Sequence, residues 1–548
     1  MLGALAIAAF FTIAAPSEAA GTTLRIPFPR DPGTLTPLTF TLGYPLLTLV
    51  YDTITWRDRN GVPRPWLAQS VRTADGGRRV VVRLRDGLRW HDGRALTARD
   101  VVFTYHFMRQ RRHPRFAPQL TALASVRARD RRTVEFRLRH PSIGFADQPL
   151  ADVPILPAHL WRGLGPGLRA PAGPPVGSGP YRFAGRRPDG GLRLAAVRDY
   201  FRGRPSADRI EIPIVPESRD MLAALQRAKA DTLPIALTPA QQASVESFSV
   251  RIARGPLYLG TMLMFNARRP PFDRVQVRRA VAAALDRRRI ARAVGSSTPA
   301  TTGLLHPRSR WAPRPVALLP PRDGKPLAAL GLPEIRVLAP SNDSMRLEAG
   351  RQVVLALRRA GAAARLVSLS RPRLGEAIGE GGANPSFDVA IWSIPALASY
   401  DPDFLGSLFG ARGVLNRSGY RSRAFDRLAA QVAAAPSVTA RRRTVLALLE
   451  RLASDAPAVP LFFGEGAFAY RSASRIGWAF ARGSGILDKQ SLLREAPDRT
   501  AVRGTSERGF FEDDGDSFSL LGVLGAGLLA LTLVVGGVVA RGRRQRSR

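Results

Sequence analysis

The chain has 548 residues, 45% of them hydrophobic, which is enough to bury several cores, so two or three domains are expected. It contains no cysteine, which excludes a disulfide, a thiolate metal site, a cysteine nucleophile and a lipidated cysteine anchor. The formal charge of +39 is nearly all arginine, since the only lysines are Lys229, Lys325 and Lys489. Arginines spread over every segment read as a solvated surface rather than as the clustered face of a nucleic-acid binder, although such a surface still favours acidic ligands or anionic polymers.

In chain order, Leu2 to Ala15 is an apolar run followed by Pro16 and the small-x-small sequence Ser17-Glu18-Ala19, which predicts a secretory signal peptide over residues 1–20. No Lys or Arg precedes the run, so either the start lies upstream or the signal is atypical. Asn60-Gly61 and Asp75-Gly76-Gly77 are turn signals between extended runs. Val80, Val82 and Leu84 alternate with Val81, Arg83 and Arg85, and Val134, Phe136 and Leu138 with Glu135, Arg137 and Arg139, which predicts two half-buried strands. Thr97 with Asp100 three residues on predicts an N-cap, opening a helix with Val101, Tyr105 and Met108 on one face.

Further on, strands are predicted at Ile210–Val215 and Leu233–Leu237 around a helix carrying Met221, Leu222 and Leu225. Asp273 is predicted to cap a helix with Val277, Val281, Ala284 and Leu285 on one side. A second alternating segment follows: strand Ile335–Ala339, a helix with Val353, Val354 and Leu357 ended by Gly361, strand Arg365–Leu369 and strand Phe387–Ser393. A late helix groups Val445, Leu448, Leu449 and Leu452, and Val459–Phe463 reads as a strand. Alternation of this kind argues for mixed sheets covered by helices.

Residues 496–518 are polar and acidic and read as a flexible tether. Ser519 to Ala540 is 22 residues without a charge, long enough to span roughly 30 Å of hydrocarbon. Glu512, Asp513, Asp514 and Asp516 precede it, and Arg541, Arg543, Arg544, Arg546 and Arg548 follow. The expectation is a single transmembrane helix with a cytoplasmic basic tail at 541–548 and an exported remainder.

No constellation for nucleophilic, acid–base or phosphoryl chemistry stands out, so an enzyme is not expected. Gly177-Ser178-Gly179 lacks the centred serine of a nucleophile elbow, and Gly525-Ala-Gly527 sits in the apolar span rather than in a dinucleotide loop. His106, His113, His140, His159 and His306 have no metal-site spacing, so neither a metal nor a cofactor is expected.

The ordered set Leu49–Ile54, Asn60–Ala68, Leu84–Gly93, Leu96–Thr104, Gly177–Phe183, Asp199–Pro205, Pro271–Ala280, Ala284–Arg287, Phe387–Trp392, Asp401-Pro402 and Asp455–Leu461 resembles the family 5 extracellular solute-binding proteins. These are the oligopeptide-, dipeptide- and nickel-binding components of ABC importers. The resemblance runs collinearly from about residue 24 to 490. It implies an α/β fold: a two-lobed, hinged, periplasmic-binding-protein-like clamp with an extra β-rich domain, here joined to one C-terminal transmembrane helix. The implied division is residues 21–50, 151–262 and 459–495 as a discontinuous lobe I, 51–150 as the insertion and 263–458 as lobe II.

The resemblance further implies capture of a peptide or similar medium-sized organic solute outside the cell and delivery to membrane permease subunits. A membrane-tethered surface receptor or an anionic-polymer binder without a transport partner is the alternative. In peptide binders of the family the ligand backbone pairs with short strands from both lobes. By position the implied ligand-binding residues are Leu42, Gly43 and Tyr44 with Trp392, Ser393 and Ile394. The acidic residue that those binders carry shortly after the tryptophan is missing, and the first carboxylate after it is Asp401, which becomes the candidate for a ligand amine.

Overall fold

The computed structural model describes residues 22–493, apart from 39–43, 112, 114, 166, 168, 248, 296, 314–317, 319–324 and 475. The expected signal peptide (1–20), tether (496–518), membrane helix (519–540) and basic tail (541–548) lie outside the described residues, as do Leu42 and Gly43. Among the described residues no helix is long and apolar enough to cross a membrane.

Strand β1 (Thr23–Arg25) and the helix Tyr44–Val50, which buries Leu46, Leu47, Leu49 and Val50, precede a hairpin of β2 (Thr55–Arg57) and β3 (Pro63–Pro65). The hairpin turns at Asn60-Gly61, where Gly61 takes a φ of 79° that a side chain would resist. Strands β4 (Ala68–Ala74), β5 (Arg79–Leu84), β6 (Leu123–Ala128) and β7 (Thr133–Leu138) then form an antiparallel sheet in the order β4-β5-β7-β6. Its apolar alternation is the one read from sequence: Val80, Val82, Leu84, Val134, Phe136 and Leu138 are buried. Thr97 and Asp100 form the expected capping box on the helix Ala98–Gln110, whose Tyr105 ring meets Phe136 edge-on at 4.9 Å.

Strands β8 (Tyr181–Arg186), β9 (Leu192–Ala196) and β10 (Arg209–Ile212) join β1 in a mixed sheet, with β1 and β10 parallel. The strand expected over Ile210–Val215 therefore stops at Ile212 and continues only as an isolated bridge between Phe28 and Ile214. Leu233–Leu237 is not a strand. Leu233 and Leu237 donate their N–H groups to Ala469 and Ala467 at 3.1 and 2.8 Å, but Pro234 has no N–H and interrupts a regular ladder.

The remaining strands, β11 (Val250–Phe265), β12 (Ser297–Pro299), β13 (Ile335–Pro340), β14 (Ala364–Leu369), β15 (Val389–Ile394) and β16 (Ala458–Arg471), build a sheet in the order β12-β16-β11-β15-β13-β14. Helices cover both faces. Met262, Met264 and Phe463 enter one core with Val445, Leu448 and Leu452 of the helix Val438–Asp455. Leu263, Phe265 and Phe462 enter the other with Val277, Val281, Val353 and Leu357. Asp273 does not cap its helix: the helix Val275–Ala283 has Arg274 at the N-cap, and the Asp273 carboxylate accepts the Arg274 N–H at 2.9 Å.

Strands β11 and β16 pair over most of their length and link the six-stranded sheet to the mixed four-stranded sheet. At one end Val250 and Ala469 share a core with Met221, Leu225, Leu233 and Val245. There Arg471 N–H reaches the Asp231 carbonyl at 2.8 Å, and the Asp231 carboxylate accepts the Arg25 N–H of β1 at 2.7 Å. At the other end the same two strands are central in the six-stranded sheet. Between Pro256 and Gly260 the register shifts, a bulge where the ribbon bends. Gly260 is required just past it, because a Cβ would lie 2.8 Å from the Phe463 ring.

Candidate functional site

The richest polar cluster lies where the segment after β7 meets the segment after β15. Ser437 caps the helix Val438–Asp455, and the next turn carries Arg441 inward, with none of its surface exposed. Its guanidinium lies 4.6 Å over the Trp311 ring, pairs with Asp401, and meets Asp403 at 2.8 Å. Across the junction it stands 3.5 Å from Asp147, which Arg310 also approaches at 3.5 Å. Gly144 makes room for this arrangement, since a Cβ there would be 2.5 Å from Arg441 Nη1. Burial, reinforced by neighbouring Asp403, pushes the Asp401 carboxyl up to about 7 despite Arg441. Burial also raises Asp147, against the pull of Arg310 and Arg441.

A second network adjoins the first. Arg115 pairs with Asp152 at 2.5 Å and lies 4.1 Å over the Tyr44 ring, whose hydroxyl donates to Asp152 Oδ1 at 2.8 Å. Gln119 Nε2 donates to the other Asp152 oxygen, also at 2.8 Å. Burial works against the Asp152 charge, yet the charge and hydrogen bond of Arg115 hold this carboxyl below its ordinary range. Arg57 donates to the Asp147 carbonyl at 2.9 Å, hydrogen-bonds Gln148, and stacks 4.4 Å over Tyr400. Tyr400 in turn donates to the Arg482 carbonyl at 2.6 Å and accepts the Trp311 indole N–H on its own carbonyl at 3.1 Å.

Beside these networks opens a cavity of about 430 Å³, lined on one side by Gln119, Phe145 and Gln148 and on the other by Asp401, Asp403 and Phe404. Two of its lining residues carry buried polar atoms without hydrogen-bond partners, Gln119 Oε1 and Gln148 Nε2, as do Arg115 Nε and Arg441 Nε nearby; Arg441 Nη1 and Asp147 Oδ2 have no hydrogen bond either and face each other as an ion pair at 3.5 Å. Buried polar groups are ordinarily satisfied, so a concentration of unsatisfied ones marks a place prepared for a polar guest or for water. Among the described residues no group of three or more His, Asp or Glu is placed to hold a metal ion.

Of the residues singled out from sequence, Tyr44 and Asp401 come to this junction. Trp392, Ser393 and Ile394 close β15, opposite Met262, Thr261 and Gly260 of β11. Ile394 is fully buried, and half-buried Trp392 lies under the Arg371 guanidinium at 4.4 Å. Sequence reasoning missed Arg57, Arg115, Asp147, Asp152 and Arg441. Arg441 sits in the run Arg441-Arg442-Arg443, where nothing separates the buried arginine from its solvated neighbours.

A model of the middle region of the bacterial extracellular solute-binding proteins, family 5, matches residues 62–414, well over half of the chain. The chain belongs to this family. Among curated relatives, the oligopeptide-binding protein AppA of Bacillus subtilis is 29% identical over 258 residues, 44% of this chain and 45% of that protein. The dipeptide-binding protein of Escherichia coli is 26% identical over 275 residues, 45% of this chain and 50% of that one. The matched region thus spans about half the length of these relatives. Solved structures of like fold include the ABC transporter substrate-binding protein CtaP of Listeria monocytogenes, with a TM-score of 0.76 at 22% identity, covering 87% of this chain and all of that one. Bacillus subtilis AppA in complex with a nonapeptide gives 0.71 at 20% identity, covering 86% and 98%. As a family 5 member the chain has the mixed α/β, two-lobed architecture of these proteins, and the family is named for extracellular solute binding, which suits an extracytoplasmic setting.

Proposed function

We propose that this family 5 protein is the substrate-binding component of an ABC importer that captures a short peptide outside the cell and hands it to membrane permease subunits. The observation that carries this reading is the cavity between Gln119, Gln148, Asp401 and Asp403, surrounded by buried polar atoms lacking partners. A peptide supplies what that site lacks, namely amide donors and acceptors together with a terminal amine for Asp401 or Asp403. The volume of about 430 Å³ lies within the roughly 300–1,000 Å³ typical of small-ligand sites and favours a short chain. The names of the relatives support peptides as the ligand class.

In this reading residues 21–50, 151–262 and 459–495 act as lobe I, 263–458 as lobe II and 51–150 as the insertion, with the β11–β16 ribbon as the hinge. The ligand-binding residues proposed are Leu42, Gly43 and Tyr44 from one lobe and Trp392, Ser393, Ile394 and Asp401 from the other, with the buried Ile394 contributing its backbone rather than its side chain. Residues 519–540 anchor the protein in the membrane, replacing the lipidated cysteine that the sequence lacks.

Calorimetric titration of the full chain in detergent with di- to nonapeptide pools is the test. Micromolar binding is expected, weakened about tenfold in Asp401→Asn, equivalent to about 1.4 kcal/mol. Absence of heat with every pool, alongside binding of a sugar or a nickel chelate, would remove peptides as the ligand class.

A further inference from the structure

A larger recess, about 880 Å³, lies away from the junction, between the Gly87–Gly93 turn and the β9–β10 strands of the mixed sheet. Nothing in the proposed transport role uses it. Arg182, Arg198, Arg204 and Arg209 are exposed and line it together, joined by Arg89, against only Asp199 and Asp208. Asp208 is already engaged, pairing with Arg204 at 3.0 Å and accepting the Thr22 N–H at 2.9 Å. Arg182 and Arg209 form no ion pair among the described residues. The field inside the recess is therefore positive, and its concave wall strengthens that field relative to an equal number of arginines on a convex surface.

A second observation comes from the wall itself. Trp90 lines the recess, is 98% buried, and carries an indole N–H with no hydrogen-bond acceptor. A buried donor left without a partner is costly, and this one belongs to a residue of the recess wall. The neighbouring His91 ring adds no acidity. Burial holds it neutral, Arg182 disfavours its protonation further, and its Nε2 lies 3.0 Å from the Gly179 carbonyl.

We propose that this recess is a second binding site, for a phosphate-type oxyanion carried on a larger organic group. Guanidinium forks pair with phosphate oxygens bidentately, which explains why arginines are gathered there rather than only scattered. The volume is several times what inorganic phosphate fills, and Phe201 on the wall offers apolar contact to whatever bears the anion. The same chemistry is offered by a soluble organic phosphate and by the headgroup of an anionic phospholipid.

The experiment has two arms, both on the full chain in nanodiscs. In zwitterionic nanodiscs the protein is titrated with glycerol 1-phosphate and with pyrophosphate. In the other arm, hydrogen exchange over residues 87–93 and 195–209 is compared between phosphatidylcholine and phosphatidylglycerol discs. The proposal expects either submillimolar binding of the soluble phosphates or protection of those segments by phosphatidylglycerol. The first outcome assigns a soluble phosphate and the second a lipid headgroup. In Arg182→Gln/Arg209→Gln the effect should fall at least tenfold, while peptide binding at the junction is unchanged. Circular dichroism of the variant controls for folding, and Arg182→Lys/Arg209→Lys, which keeps the charge but loses the fork, should fall in between. Absence of an effect in both arms, or an effect that the double variants leave intact, would overturn the site and return these arginines to the general solvated surface.

Discussion

Two buried ion clusters differ sharply in how completely their polar atoms are matched. In the first, Asp52 and Lys489 pair with no exposed surface on either side chain. Asp52 also accepts the Trp66 indole N–H at 3.0 Å, the Tyr200 hydroxyl at 2.9 Å and the Ser178 hydroxyl at 3.0 Å. Lys489 donates to the Tyr51 carbonyl at 3.0 Å and lies 4.8 Å over the Trp56 ring. Neither side chain has an unpaired buried atom. The second cluster, around Arg441 and Asp147, is just as deeply placed but leaves several atoms unmatched. The first ties residue 489 to the start of the chain, whereas the second borders a cavity. A complete set of partners marks a charge that holds the fold together, and an incomplete one marks a charge that faces a guest.

The largest effect should come from Lys489→Met, which strands the Asp52 carboxylate and should lower stability by about 3–5 kcal/mol in urea denaturation. Adding Asp52→Asn should recover most of that loss, and a single-variant loss below about 1 kcal/mol would break the comparison from the structural side. Arg441→Met should lose less, about 1–3 kcal/mol, because the adjoining cavity admits water and Asp401 can take up a proton. It should also weaken peptide binding, which Lys489→Met should not do in the fraction that stays folded. Equal losses from the two variants would erase the distinction.

The pH dependence sharpens it further. The Asp401 carboxyl is raised from 3.8 to about 7 in the folded chain, so the native state binds the extra proton between those values. Its contribution is therefore greatest in acid and is lost as pH rises toward 7. Asp401→Asn should flatten that decline. His306 behaves oppositely: burial lowers it from 6.5 to about 4, so its contribution is present above 6.5 and is lost as pH falls toward 4. His306→Gln should ease the acid side, as read from urea midpoints across pH 4 to 8. The smallest effect belongs to an exposed pair, Arg365 and Glu334 at 2.9 Å, where Glu334→Gln should change stability by less than about 0.5 kcal/mol.

Legibility in the sequence followed exposure. Strands β5 and β7 were readable because one face meets solvent and imposes alternation, and the Ala98–Gln110 helix because Thr97 and Asp100 announce its start. Strand β11 was missed because Met262–Phe265 is buried on both faces and shows no period, and β16 was seen only from Val459 to Phe463 because Gly464 and Gly466 interrupt the apolar run of a strand that continues to Arg471. At the site, Tyr44 and Asp401 were reached through family resemblance. Arg115 and Arg441 were not, since in so arginine-rich a chain burial of one arginine depends on contacts with Asp152, or with Asp147 and Asp401, far away in sequence.

The pairing of Val250–Phe265 with Ala458–Arg471 also constrains the order of assembly. About two hundred residues separate the paired strands, and the Lys489 contact with Asp52 spans almost the whole described chain. Neither the central sheet nor the Asp52–Lys489 pair can be completed until these late residues have been synthesised, although the β4–β7 sheet can close on its own. Contacts of such long sequence separation form slowly. A chain growing from its N-terminus therefore carries an open half of its central sheet for about two hundred residues of synthesis, and the hinge ribbon is among the last parts to form.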